Sequence, residues 1–213
     1  MRRRALNRAI VLDRTNPRVI ADKIHELGSR RADGCGCVSD PGWQPNLSWI
    51  TDDLAIGGRV PLDRVAHLAD PLGIRAVIDV RSEEADDPEH LLHHGVTLLH
   101  LPTIDLAALA PKALEEGVAF ARQAAERGAR LLVHCEHGIG RSATLALCIL
   151  VDRGFDPLAA LQLAKHRRPL FSPSPVQYEC WVAWLKAAQG GTAHTIPDFE
   201  AFKSIAYRHL ACT

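Results

Sequence analysis

The stretch Leu131–Thr144, LLVHCEHGIGRSAT, constrains this chain more than any other part of it. Leu131, Leu132 and Val133 form a short apolar run with the length and branching of a buried strand. His134 and Cys135 end that run, and Glu136-His137-Gly138-Ile139-Gly140 turns the chain. Arg141-Ser142 then leads into Ala143–Val151, which is apolar on nearly every side. A helix of that kind has to be buried. Cys135 therefore stands where a strand stops, a glycine-containing loop turns and a central helix begins.

Such a junction is suited to anions. The first amides of a helix have no partner within it, and the aligned peptide dipoles leave about half a positive charge there. Two glycines let successive N–H groups turn inward as a nest for phosphate-like oxygens. Glu136, His137, Gly138, Ile139, Gly140 and Arg141 are the expected phosphate-binding loop, and Arg141 adds a planar fork of donors. The same field favours thiolate at Cys135. A nucleophile at the bottom of a phosphate cradle implies phosphoryl transfer to sulfur.

The pattern His134-Cys135-x5-Arg141-Ser142, with both inner glycines, resembles the signature of cysteine-dependent protein tyrosine and dual-specificity phosphatases. The run Pro111-x-x-Leu114-x-x-Gly117-Val118-x-Phe120 is similar to the atypical dual-specificity branch. Some of that branch acts on phospholipids, including a mitochondrial phosphatidylglycerophosphate phosphatase. The resemblance covers Leu47 to Ala188. It implies a phosphocysteine mechanism that needs neither cofactor nor metal. It also makes His134 a conformational support of the loop, and Gln177 the glutamine that positions water for the second step. The alternative for Gln177 is an ordinary surface position.

The chemistry also calls for an acid. When sulfur attacks phosphorus the leaving oxygen must be protonated, and the water that cleaves the intermediate must lose a proton. Asp105 lies thirty residues before Cys135, in the loop Pro102-Thr103-Ile104-Asp105 after a strand over Val96–Leu101. The intervening helix, Pro111 to Gly128, and strand return the chain to the same end of the sheet. Ser142 is expected to donate to the sulfur and stabilise the departing thiolate. Glu136 and His137 stand where phosphoinositide phosphatases carry lysines, and an inward carboxylate at Glu136 would repel a polyanionic headgroup.

The remainder of the chain frames this site. Alternating strands and helices, with a buried strand over Ile74–Val80, predict an α/β fold with a mostly parallel sheet flanked by helices. Residues 47–188 are expected to form the catalytic domain. Residues 1–46 read as an N-terminal extension, with a helix from Pro17 to about Ser29 and a Gly/Pro-rich linker. Residues 189–213 read as a C-terminal helical extension. Asp79 is expected to cap the turn through Ser82, and Lys165-His166-Arg167-Arg168 to form a solvated helix end.

Formal net charge is zero among 213 residues, which gives no electrostatic support for nucleic-acid binding. No apolar run approaches the roughly 18–20 residues of a membrane span. The six cysteines follow no disulfide-scaffold rhythm, and a reactive thiol needs reducing conditions, so a cytoplasmic protein is expected. Cys35, Cys37 and His25, and the histidines His90, His93, His94 and His100, lack the paired spacing of a metal site. The expected partner is a phosphorylated protein or a small phosphate monoester, with a phospholipid or inositol phosphate as the alternative. A rhodanese-like sulfurtransferase and a non-catalytic phosphate-binding module are weaker readings, since binding alone requires neither thiol nor acid.

Overall fold

The structure is a computed structural model and describes residues 43–188 and 195–208. The expected N-terminal helix and the Cys35/Cys37 pair lie outside the described residues. Five strands form among the described residues, the inner ones from short apolar runs: β1 (Leu47–Trp49), β2 (Leu54–Gly57), β3 (Ile74–Arg81), β4 (Thr97–Thr103) and β5 (Arg130–His134). Their order in the sheet is β1-β2-β5-β3-β4. β2, β5, β3 and β4 run parallel, and β1 pairs antiparallel with β2 at one edge. β5 is thus central. Leu131, Leu132 and Val133 are fully buried for that reason, and all parallel neighbours present their C-terminal ends on the same side.

Seven α-helices are found among the described residues: α1 (Val65–Ala69), α2 (Pro88–His93), α3 (Pro111–Glu126), α4 (Arg141–Asp152), α5 (Pro157–Arg167), α6 (Pro175–Ala188) and α7 (Phe199–Ala206). Side chains alternate between the two faces with the period of a strand. Leu131 and Val133 join Ile78, Val80 and the residues of α4 in one large core. Leu132 joins Val77, Val65, Leu68 and Leu91 in a smaller one on the opposite face. From Arg141 to Val151 every residue of α4 is buried, as its apolar circumference requires.

The C-terminal helix is not an appendage. Phe202 and Ala206 of α7 belong to the large core, and Phe202 packs on Tyr178 and Trp181 of α6. Its carbonyl end accepts Lys165 Nζ at Ala206, 2.6 Å away, and the same amine donates to Phe171 O at 2.9 Å. Lys165 is 1% exposed and its pKa is pushed down to about 8 by burial and by the charge of Arg208. This corrects the solvated helix end expected over Lys165–Arg168 at two of its four residues: His166 and Arg167 are exposed as expected, whereas Lys165 and Arg168 are buried. Backbone carbonyls capture Lys165 and Arg168 before water does.

Candidate active site

The β5–α4 junction has the predicted form. Gly138 adopts φ +71, a left-handed conformation, and a β-carbon there would lie 2.5 Å from the carbonyl of Gly57. Only glycine meets both conditions. The loop then wraps the sulfur. Cys135 Sγ accepts from the amide of Gly138 at 3.2 Å and lies 3.3 Å from Ser142 Oγ. Burial on its own would raise the Cys135 thiol. The hydrogen bonds from the Ser142 hydroxyl and from the amides of Ser142, Gly138 and Ile139 outweigh it and hold the pKa below the ordinary value.

Arg141 opens α4 and is 1% exposed. Its two terminal nitrogens bind Glu83 in a fork, both at 2.7 Å, and Nη1 also donates to Thr103 O at 2.9 Å. Asp105 Oδ1 lies 3.1 Å from Nε, yet Nε donates no hydrogen bond. A buried guanidinium N–H without a hydrogen-bond partner is an exception that calls for an explanation. Here it is the donor that faces the loop of the proposed acid. Asp105 itself is 61% exposed on its side chain, and the structure places its carboxylate beside Arg141.

His134 is fully buried. Its Nε2 binds Asp86 Oδ2 at 2.8 Å and its Nδ1 lies 3.4 Å from Cys135 O. Burial opposes a charge on this imidazole, but the carboxylates of Asp86 and Asp79 prevail and raise its pKa. Asp79 caps the backbone that follows it, its Oδ1 accepting from Arg81 N at 3.0 Å, and it does more than the expected turn residue. It is fully buried and accepts from the backbone and side chain of Arg81 and from the amide of Asp86. Arg81 in turn binds Asp86 at 2.6 Å and Glu84 at 3.0 Å. Asp79, Asp86 and His134 have metal-ligand spacing, but the Arg81 guanidinium already neutralises both carboxylates. That donor set is spoken for by a cation of the chain.

Glu136 points to Arg59 at 3.4 Å and Arg81 at 3.6 Å, so its carboxylate is engaged in ion pairs. Gln177 is 1% exposed, which removes the surface alternative. Its Oε1 accepts from Ser174 N at 2.9 Å and its Nε2 donates to Ala107 O at 3.1 Å. Both ends of the amide are thereby committed to bracing the loop after Asp105 against α6. A β-carbon at Gly140 would come within 2.6 Å of Gln177 Oε1, so the glutamine also abuts the phosphate loop.

Sequence reasoning missed Glu83, Arg81 and Asp86, and read Arg168 only as part of a solvated helix end. Ser82-Glu83-Glu84 at the end of β3 carries the signal in hindsight, since carboxylates just past a strand of this sheet must face the β5–α4 loop. Glu83 is held down to a pKa of about 2, chiefly by its hydrogen bonds from Arg141.

With this geometry in hand, comparison with known proteins decides the family. The dual specificity phosphatase catalytic domain matches residues 62–184. The chain belongs to the dual specificity phosphatase family. Mouse (Mus musculus) dual specificity protein phosphatase 1 is 33% identical over 147 residues, covering 66% of this chain and 38% of that protein. Mouse dual specificity protein phosphatase 2 is 33% identical over 104 residues, covering 48% of this chain and 31% of that protein. The chain thus spans about a third of the length of these relatives. Among solved structures, PTPMT1 in complex with PI(5)P superposes with a TM-score of 0.64 at 23% identity, over 68% of this chain and 99% of that one. The active form of Tk-PTP gives 0.62 at 23% identity over the same shares. Both share the fold.

Proposed function

We propose that this chain hydrolyses phosphate monoesters through a phosphocysteine intermediate, most simply as a protein tyrosine or dual-specificity phosphatase. The observation that carries the reading is the buried thiol of Cys135, hydrogen-bonded by loop amides and Ser142 and faced by the Arg141 guanidinium. The Cys135 thiolate attacks phosphorus, an S–P bond forms and the P–O bond to the leaving group breaks. The leaving oxygen takes its proton from Asp105. Arg141 and the loop amides bind the equatorial oxygens, whose charge they stabilise most strongly in the transition state. Water then attacks phosphorus and gives a proton to the Asp105 carboxylate. The S–P bond breaks, phosphate leaves, and Ser142 donates to the returning thiolate. Gln177 serves this cycle by fixing the loop behind Asp105. No metal enters it.

A phospholipid monoester is the second reading, favoured by Ile104 and Leu106. These side chains are 72% and 71% exposed on either side of Asp105 and offer an apolar flank to whatever carries the phosphate. Glu83, Glu84 and Glu136 already pair with Arg141, Arg81 and Arg59, and a substrate with further phosphates would have to compete with them for those cations. We place the reaction in the cytoplasm, where a thiol of lowered pKa and the free Cys148 and Cys180 stay reduced. No described helix is long and apolar enough to cross a membrane.

Phosphate release from a panel tests the reading: an aryl phosphate, phosphotyrosine and phosphoserine peptides, an inositol phosphate and phosphatidylglycerophosphate. Turnover on the aryl phosphate and a phosphopeptide, lost in Cys135→Ser, is the expected result. Preference for phosphatidylglycerophosphate moves the assignment to lipid. Turnover that survives in Cys135→Ser rules out the thiol mechanism.

A further inference from the structure

Arg168 follows α5 and is 4% exposed, yet it has no acidic partner among the described residues. Its Nε donates to Gly138 O at 2.6 Å, and its Nη2 donates to His137 O and to Asn46 Oδ1, each at 2.9 Å. Its Nη1 reaches Ser48 Oγ at 3.3 Å. Every acceptor is neutral, and among the described residues no carboxylate forms an ion pair with it. The other two buried guanidinium groups of the site, Arg81 and Arg141, each face carboxylates. Burying a cation without a counter-ion is costly, and burial alone lowers the pKa of Arg168. Something must offset that cost.

The two carbonyls that Arg168 grips are one end of two peptide groups. The other ends are the amides of Gly138 and Ile139, which hydrogen-bond to the Cys135 sulfur. In a planar trans peptide the carbonyl and the N–H point in opposite directions, so fixing one aims the other. A charge on the carbonyl side also polarises the peptide and strengthens its N–H as a donor. Arg168 and Cys135 are therefore opposite ends of the same two dipoles, and the opposite charge that acts on Arg168 is that of Cys135. Gly138 is pinned between them. A β-carbon there would lie 2.6 Å from Arg168 Nη2 and 2.5 Å from Gly57.

We propose that Arg168 is a positioning residue for the Cys135 thiolate, aiming the Gly138 and Ile139 amides at Sγ and supplying a buried counter-charge from behind the loop. The other groups that act on the sulfur come from different elements. Arg141 and Ser142 face it from α4, His134 precedes it on β5, and Glu83 and Asp105 act on it through Arg141. Substituting Arg168 leaves all of these in place. The inference rests on reading Cys135 as a thiolate in an anion cradle, and its test needs no phosphate substrate.

The test is the rate of alkylation of the Cys135 thiol by iodoacetamide as a function of pH, on the full chain, with Cys135→Ser as the blank for the remaining cysteines. Arg168→Gln is expected to alkylate about tenfold more slowly on the acid side and to reach the wild-type rate at high pH, the mark of a raised thiol pKa. Arg168→Lys restores most of the acid-side rate, because it returns the charge. Asn46→Asp, at an exposed position, sets a carboxylate against Arg168 while keeping its acceptor, and gives up only the long Nδ2 donation to His137 O at 3.4 Å. It too is expected to slow acid-side alkylation. A folded Arg168→Gln variant that titrates like the wild type reduces Arg168 to a packing residue and overturns the proposal. Should Arg168→Gln fail to fold, an unchanged profile in Asn46→Asp overturns it equally. Loss of phosphatase activity with these titration results intact would count against the catalytic reading alone.

Discussion

The front and the back of the phosphate loop are built on opposite terms. On the front, Arg141 Nε makes no hydrogen bond, and Asp105 projects into solvent from an ion pair. On the back, Asp79, Arg81, Asp86 and His134 satisfy one another almost completely, and Arg168 spends all three of its nitrogens on neutral acceptors. The front holds charge ready for a ligand. The back holds the front still. Preorganised donors work in catalysis only when the protein, not the substrate, meets the cost of orienting them.

Substitutions on the front should therefore cost rate and spare stability. Asp105→Asn is expected to slow hydrolysis of substrates with poor leaving groups by about 10²–10⁴-fold, and far less for activated aryl phosphates. Equal losses on both kinds of substrate would remove Asp105 from the acid role. Arg141→Lys keeps a cation but loses the fork, and kcat is expected to fall about 10²–10³-fold with KM rising. A lysine variant of near-wild-type kcat would show that bidentate geometry is unimportant.

Glu83→Gln lies between front and back. It weakens the forked pair that orients Arg141, and kcat/KM is expected to drop about tenfold with a modest change in melting temperature. An unchanged kcat/KM would mean that the helix alone orients Arg141. A rise would mean that Glu83 competes with the substrate.

Asp86→Asn strikes the back and reverses the balance. Breaking a buried pair of this kind is expected to cost about 3 kcal/mol in stability, with a smaller effect on turnover. Its pH dependence follows from His134, whose folded pKa is raised. The stability contributed by the pair is fully present below the unfolded histidine value and is lost as pH rises through the folded one. The gap in melting temperature between wild type and Asp86→Asn should thus be widest on the acid side and narrow as the solution becomes alkaline, down to the part that the Asp86–Arg81 pair contributes at every pH. A gap that widens with pH would contradict the charged pair.

The front was largely legible in the sequence, and the back was not. Cys135, Gly138, Gly140, Arg141 and Ser142 lie within one strand–loop–helix unit, where period and spacing dictate the geometry. Asp105 was reachable because one helix and one strand had to return the chain to the same sheet end. The contacts of the back join residues far apart: His134 and Asp86 are 48 residues apart, and Arg168 and Gly138 30; the Arg141–Glu83 pair that links front to back spans 58. No local pattern encodes such pairings. Arg168 and Lys165 were misread for a definite reason. Cations at a helix C-terminus ordinarily face water, and only the tertiary fold reveals the loop and α7 carbonyls that bury them. The strands and the principal helices followed from periodicity. The short α1 follows directly on a 3-10 turn at Leu62–Arg64.

The central claim is that Cys135 takes the phosphoryl group. The most direct measurement is rapid acid quench of the protein during turnover of an aryl phosphate, followed by mass spectrometry of its peptides. The account predicts one phosphoryl group on the peptide that carries Cys135, absent in Cys135→Ser. Turnover with an unmodified Cys135 peptide at every quench time, in a protein that still releases phosphate after Cys135→Ser, would contradict it.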